Sequence, residues 1–265
     1  VRVYAEVARR GFHRYSTYRA ATLAGVFTNT AFGFIKAFVL IALWHARPAL
    51  GGYDVTDAVT FTFLAQALMA PMAIFGPGLE VADRIRTGEV VMDLYRPADF
   101  QGWWLAADLG RAGYQLLGRG IPPLLVGLAV FPMRLPAAPA TWAAFALCTA
   151  LAVVVSFGLR YLVALAGFWL LDGRGVISLH TLVAIFFSGS LIPLVIFPGS
   201  LGTVARLLPW SATVQVPGDV FLGRDSGLAG LAAVVAFQVA WAAVLLGAGR
   251  LLTVAARRKL VVHGG

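Results

Sequence analysis

Between Leu135 and Leu159, and again between Gly227 and Gly249, the sequence carries no charged side chain. Runs of that length reach the roughly 20 residues a helix needs to cross a hydrocarbon core of about 30 Å. Water is absent at that depth, so backbone N–H and C=O groups must be satisfied internally, which leaves only helices and closed barrels. A barrel strand alternates polar and apolar positions over about 10 residues, whereas these runs are apolar on all sides. The chain is therefore expected to be all-α and polytopic. Composition agrees: 60% of the 265 residues are hydrophobic and 12% are charged, with a mean hydropathy of +0.82.

Six spans are predicted, at about 20–44, 58–79, 103–131, 140–170, 176–197 and 227–252, within a single transmembrane domain covering 1–265. Orientation follows from Lys and Arg in the connecting segments, because basic residues concentrate on the cytoplasmic side. With the N-terminus inside, thirteen of the 21 basic residues fall in inner segments and four (Arg47, Arg134, Arg206, Arg224) in outer ones. Both termini and residues 80–102 are thereby expected to face the cytoplasm. The start shows no apolar run followed by a cleavage site, so no signal peptide is expected. Cys148 is alone, which excludes an intrachain disulfide. The net charge of +9 fits basic residues beside anionic lipid better than nucleic-acid binding.

Three segments outside the spans have patterns of their own. In residues 1–19, Tyr4, Val7, Ala8, Phe12, Tyr15 and Tyr18 recur at helical spacing while Arg9, Arg10 and His13 lie off that face. This predicts an amphipathic helix lying on the membrane surface. Residues 198–226 are broken by Pro198, Gly199, Pro209, Pro217 and Gly218 and are expected to form short external or re-entrant helices. Residues 80–99, "EVADRIRTGEVVMDLYRPAD", gather five acids and three arginines in an oily chain. There Val81, Ala82 and Ile85 share one side of a short helix and Gly88 ends it. Val91, Leu94 and Tyr95 pack a second turn before Pro97. The result is an amphipathic elbow whose charged face turns to a partner.

Several chemistries are missing. The phosphate loop G-x-x-x-x-G-K-[ST] cannot be completed, because Lys36 precedes Ala37 and Lys259 precedes Leu260. The histidines (His13, His45, His180, His263) are far apart and no H-E-x-x-H occurs, so a histidine metal site has no support. G-x-S-x-G is absent too.

Charges at membrane depth are costly, about 2.5–3.5 kcal/mol each on insertion scales, and normally face protein interior or a wet cavity. Asp108, Arg111, Gln115 and Arg119 fall at spacings of three, four and four, on one helical face. Two readings stand for this stripe: it lines a translocation route, or Asp108 and Arg111 pair locally and snorkel to the surface. Lys36 lies deep in the first span and is a further pathway candidate. Arg160, in the fourth span, is expected to snorkel to the inner surface. Gln66 and Gln238 are read as interhelical hydrogen-bonding amides. In "FFSGSLIPLVIFP", Ser188, Gly189, Ser190 and Pro193 permit either a gate or close helix packing.

These features together resemble the ABC-2 class of ABC transporter permeases, and specifically its subfamily of small six-span members. The resemblance rests on "GFWLLDGRG", "SGSLIPLVIFPGSL", "LLPW" and "VPGDVFLG" in that order, and on "RIRTGEVVMDLYRPAD". It covers essentially the whole chain. It implies a half-transporter in a bacterial cytoplasmic membrane, exporting its substrate. Two permease chains, identical or different, would be powered by two cytoplasmic ABC ATPase subunits, which would bind the ATP and Mg; this chain would hold no cofactor and catalyse nothing itself. Family substrates include drugs, antibiotics, lipids and polysaccharides, and the compact external part favours a small hydrophobic or amphiphilic compound. Asp83, Arg84, Ile85, Arg86, Glu89, Asp93, Leu94, Tyr95 and Arg96 would then form the ATPase-coupling segment. Two rivals differ in class. One is an autonomous secondary transporter or channel using Asp108, Arg111 and Arg119. The other is a membrane scaffold without a pathway.

Overall fold

A computed structural model describes residues 2–48, 50–76, 78–170, 173–224 and 227–263. Leu171 and Asp172 of "GFWLLDGRG", Pro77 of the second expected span, Asp225 and Ser226 of the external segment and the side chain of Lys259 lie outside them. The described residues form helices and connecting turns, with no strand among them.

Helix α1 (Arg2–Ser16) is followed by α2 (Arg19–Ala46), which covers the first expected span. α8 (Pro139–Leu165) and α12 (Leu228–His263) cover the fourth and sixth, and α12 continues well beyond Leu252. These three helices are long and apolar enough to cross a membrane by length and composition. At 1.5 Å per residue, the 28 residues of α2 rise about 42 Å.

The other three expected spans take different forms, each for a local reason. α3 (Val55–Met69) starts on a capping box: the Asp57 N–H donates to Asp54 Oδ1 at 2.7 Å, and the Asp54 N–H to Asp57 Oδ2 at 3.2 Å. It ends ten residues before the expected Leu79, because Pro71 lacks an N–H and Ala73 takes a φ of +47°. Next come α4 (Glu80–Thr87), α5 (Val90–Leu94) and α6 (Phe100–Gln115), with Asp99 capping α6 by accepting from the Gly102 N–H at 2.7 Å. α6 runs through a π-helical segment, Leu116–Gly120, into α7 (Ile121–Val130). α9 (Arg174–Phe187) stops ten residues before the expected Phe197. There Gly189 has a φ of +86°, a conformation that glycine adopts without strain. α10 (Gly199–Leu207) and α11 (Gln215–Phe221) are the expected short helices of the 198–226 segment.

α3 is the centre of the molecule, with every residue from Asp57 to Leu68 buried. Its aromatic rings occupy notches left by glycines on neighbouring elements. A Cβ on Gly33 of α2 or Gly127 of α7 would come within 2.8 or 2.5 Å of the Phe63 ring, and one on Gly218 of α11 within 2.6 Å of Phe61. Interiors packed this closely do not accept even an added methyl without shifts.

α1 lies along α6. A Cβ on Gly110 would stand 1.9 Å from the Ala8 carbonyl oxygen, and one on Gly11 would stand 2.5 Å from that of Ala107. Val7 is buried, Phe12 meets Tyr114 edge-on at 5.5 Å, and the Asp99 N–H donates to the Tyr4 hydroxyl at 3.0 Å. The aromatic face that the sequence assigns to the membrane surface is thus used, at these positions, against α6. On the outer face, Arg9 and Arg10 hydrogen-bond Glu6 and hold its carboxyl down at about 2.

Candidate functional site

α2, α3, α6, α8 and the break after α9 enclose a cavity of about 670 Å³. Its wall contains all five predicted pathway residues: Lys36, Asp108, Arg111, Gln115 and Arg119. Arg160 joins them, as does Ser190 of the predicted gate; Ser188, Gly189 and Pro193 stand outside the wall.

Asp108 is where two arginines meet. Arg160 Nη2 donates to its Oδ2 at 2.6 Å and Nη1 to its Oδ1 at 3.2 Å. Arg111 Nε donates to Oδ1 at 2.7 Å. Arg111 then reaches across to α3, giving Nη1 to the Ala70 carbonyl at 3.0 Å and Nη2 to that of Pro71 at 2.7 Å. Those carbonyls lie at the C-terminus of α3, where a cation is favourable, and the Ala70 oxygen also accepts from the Ala73 N–H at 3.1 Å. Arg160 Nε donates to Ser156 Oγ at 3.2 Å, and Ser156 donates to the Met72 carbonyl. Asp108 is therefore the hub of a brace joining α3, α6 and α8. The expectation that Arg160 snorkels is corrected: its side chain is 4% exposed and paired inward. The pairing of Asp108 with Arg111 is as expected, but it is buried and cross-linked instead of surface-seeking. Sequence offered no signal for Arg160 as a partner, because the span of Asp108 already carries two arginines against one acid.

Arg119 is different. It sits in the π segment, a type of irregularity frequent at functional sites, and its guanidinium lies over Gly25 of α2, whose Cβ would stand 2.1 Å from Nε. Nε is buried and has no hydrogen-bond partner, and the same holds for the Gln115 side-chain oxygen. Lys36, further along α2, donates from Nζ to the Ser190 carbonyl. Ser188 and Ser190 are fully buried. Gln215 stitches the irregular backbone there: its N–H donates to the Ser188 carbonyl at 2.9 Å, and its side-chain oxygen accepts from the Leu194 N–H at 2.7 Å. The stretch read as a gate or a close packing site is a break after α9, and its Ser190 carbonyl accepts from Lys36 of the cavity wall. Of the predicted interhelical amides, Gln238 bridges the Cys148 and Ala212 carbonyls at 3.0 and 2.8 Å, while Gln66 lines the cavity.

At one end of the cavity Arg14 of α1 hydrogen-bonds Glu80, the first residue of α4. The elbow between α3 and α6 forms as two short helices with Gly88 at φ +80° between them. Val81 is buried and Ile85 half-buried, as expected. The second turn is rotated from expectation: Val90 is buried, while Val91 and Tyr95 are exposed. Asp93 also turns inward. It pairs with Arg84 Nε and, at 2.8 Å, with Arg96 Nη2, while Glu89 approaches Arg84 at 3.3 Å. The charges thus staple the elbow, and an apolar tip of Met92 and Tyr95, 72% and 83% exposed, projects from it. Asp83 and Arg86 remain an exposed pair at 3.4 Å.

A second charged network, which sequence reasoning did not single out, ties the start of α3 to the segments before α8 and after α11. Asp57 receives Arg134 at 2.9 Å and Arg224 at 2.7 Å; Arg134 also bonds Asp54 at 2.6 Å. The Arg224 guanidinium lies 4.6 Å over the Tyr53 ring, and the Tyr53 hydroxyl donates to Asp219. Burial, reinforced by the Asp219 carboxylate, pushes the Tyr53 hydroxyl far above its ordinary pKa, so it stays protonated as a donor. None of these residues lines the cavity.

The family model described as "ABC-2 family transporter protein" matches residues 30–264, and the chain belongs to that family. It is accordingly a multi-pass membrane permease of an ABC transporter, in a family generally partnered with ABC ATPases. Neither a curated protein nor a solved structure matches it.

Proposed function

We propose that the chain is one half of an exporter that moves a small hydrophobic or amphiphilic compound outward by alternating access. It would lie in a bacterial cytoplasmic membrane as six spans, with both termini and residues 80–102 inside. The three interrupted expected spans cross with irregular backbone packed against protein, where such backbone is tolerated. A second permease chain, identical or different, completes the pathway. Two separate ATPase subunits bind ATP and Mg.

The observation that carries this reading is the meeting of the Asp108–Arg119 stripe with Lys36, predicted on a different helix, in one cavity wall. The Arg14–Glu80 end is then the cytoplasmic mouth, and the Asp57 network is the closed outer side. The α4–α5 elbow packs through Leu79, Val81 and Val90 against Phe157, Tyr161 and Leu165 of α8. Its first residue, Glu80, belongs to the cavity wall. An ATPase pressing on the elbow would move the mouth and α8 together. That both oxygens of Asp108 are held by arginines speaks against the rival in which this carboxyl carries a proton.

The test is co-reconstitution. Proteoliposomes holding the chain with its ATPase and partner permease should move some member of a panel of neutral, cationic and anionic dyes when ATP is supplied. The chain alone should move none. Dye movement by the chain alone, insensitive to ATP, would favour the secondary transporter instead.

A further inference from the structure

The cavity wall carries five basic side chains, Arg14, Lys36, Arg111, Arg119 and Arg160, and only two carboxylates, Glu80 and Asp108. Both carboxylates are committed: Glu80 to Arg14, and Asp108 to Arg160 and Arg111 together. An excess of three positive charges remains. Arg119 makes no ion pair among the described residues, its Nε is a buried donor without acceptor, and its slot over Gly25 admits no side chain larger than hydrogen. An arginine keeps its charge under all ordinary conditions. Lys36 faces only a backbone carbonyl, and its Cα stands eleven residues beyond Gly25 on α2, about 16 Å along the axis. Cationic groups are thus spaced along the cavity, from the Asp108 brace through Arg119 to Lys36. The same wall carries the apolar side chains of Phe32, Met69, Phe75, Trp104, Ile185 and Leu191 beside the polar Thr28, Asn29 and Gln66.

Arg119 is half-buried as a residue, but its Nε is a buried donor with no acceptor, and a buried polar atom left unpaired is costly. Here the missing partner is a hydrogen-bond acceptor, best a negatively charged one, and much of the surrounding surface is apolar. We infer that the cavity binds an anionic amphiphile. Its acidic headgroup sits against Arg119, with Lys36 as a second station, and its apolar body lies along the Phe32–Leu191 wall. The volume suits a ligand of drug-like size. A cationic amphiphile of the same shape would meet the same field with the wrong sign.

This inference deepens the proposed exporter reading and rests on it for direction, but its test needs neither ATPase nor transport. The purified chain in phosphatidylcholine nanodiscs is dialysed against radiolabelled dodecanoate, dodecanol or dodecyltrimethylammonium, with empty nanodiscs as baseline. Dodecanoate is expected to bind at least about tenfold more tightly than the other two, the scale of one charge-assisted contact. Arg119→Gln and Lys36→Gln should each lower that affinity several-fold, and Arg119→Lys should retain most of it; each variant is checked for an unchanged size-exclusion profile. Equal binding of all three probes would overturn the proposal. So would dodecanoate affinity unchanged in both glutamine variants, or displacement by inorganic phosphate as effective as by dodecanoate itself. Displacement by phosphatidylglycerol would assign the headgroup to a two-chain lipid, and its failure to a single-chain acid; both sustain an anionic amphiphile. Loss of anion preference beside intact ATP-driven transport would reject this inference alone, and the converse would reject the exporter reading alone.

Discussion

Replacing Asp108 by asparagine is expected to destabilise the protein by about 3–5 kcal/mol, the usual cost of removing one partner from a buried ion pair. In thermal unfolding of the detergent-solubilised chain this is roughly 6–20 °C. The carboxylate has a 2% exposed side chain and serves two arginines, of which Arg160 is 4% exposed. Asparagine keeps the shape but leaves two guanidiniums beside each other without a counter-charge. Arg111 would still hold the Ala70 and Pro71 carbonyls, so the loss should centre on Arg160. Adding Arg160→Gln to Asp108→Asn should therefore recover part of the loss, a non-additivity expected of residues in one network. An Asp108→Asn chain that melts within a degree or two of the parent would mean that the site is hydrated and braces nothing.

The second large effect is expected at the elbow tip. Tyr95→Glu and Met92→Glu should each weaken co-purification with the ATPase about thirtyfold, the weight of an interface anchor of about 2 kcal/mol. Neither should lower the melting temperature, because both side chains project into the surroundings. Arg86→Glu should change far less, since exposed ion pairs such as Arg86–Asp83 are worth about 0–1 kcal/mol. Asp93→Arg is a different kind of variant: it removes the acid that holds Arg84 and Arg96, so the elbow itself should come apart. If both glutamate variants retain full ATPase binding and coupled hydrolysis, residues 80–96 are not the coupling segment.

Much of this architecture was legible in the sequence. The charge-free runs gave α8 and α12, an apolar run broken only by Lys36 gave α2, and Gly88 between two short apolar patterns gave the elbow. The spacing of Asp108, Arg111, Gln115 and Arg119 placed them in one wall despite the π segment beneath Arg119. What escaped were partners distant in the chain. Period alone could not show that Val90 and Asp93, not Val91 and Tyr95, turn inward, because a five-residue helix has too few turns to define a face. The glycines facing Phe61 and Phe63 come from separate elements, and their use as notches exists only once α3 is surrounded. The Asp54–Asp57–Arg134–Arg224 network joins residues up to 167 positions apart, where sequence offers nothing but isolated charges.

The central claim is that the cavity opens first to the ATPase side and then to the other. A Cys148→Ala chain carrying Asn29→Cys, within the cavity wall, tests it in the assembled complex. A membrane-impermeant maleimide is applied from each side of vesicles, without nucleotide and with the ATPases trapped by ATP and vanadate. Labelling is expected from the cytoplasmic side in the first condition and from the outer side in the second. Labelling from the same side in both conditions would contradict alternating access through this cavity.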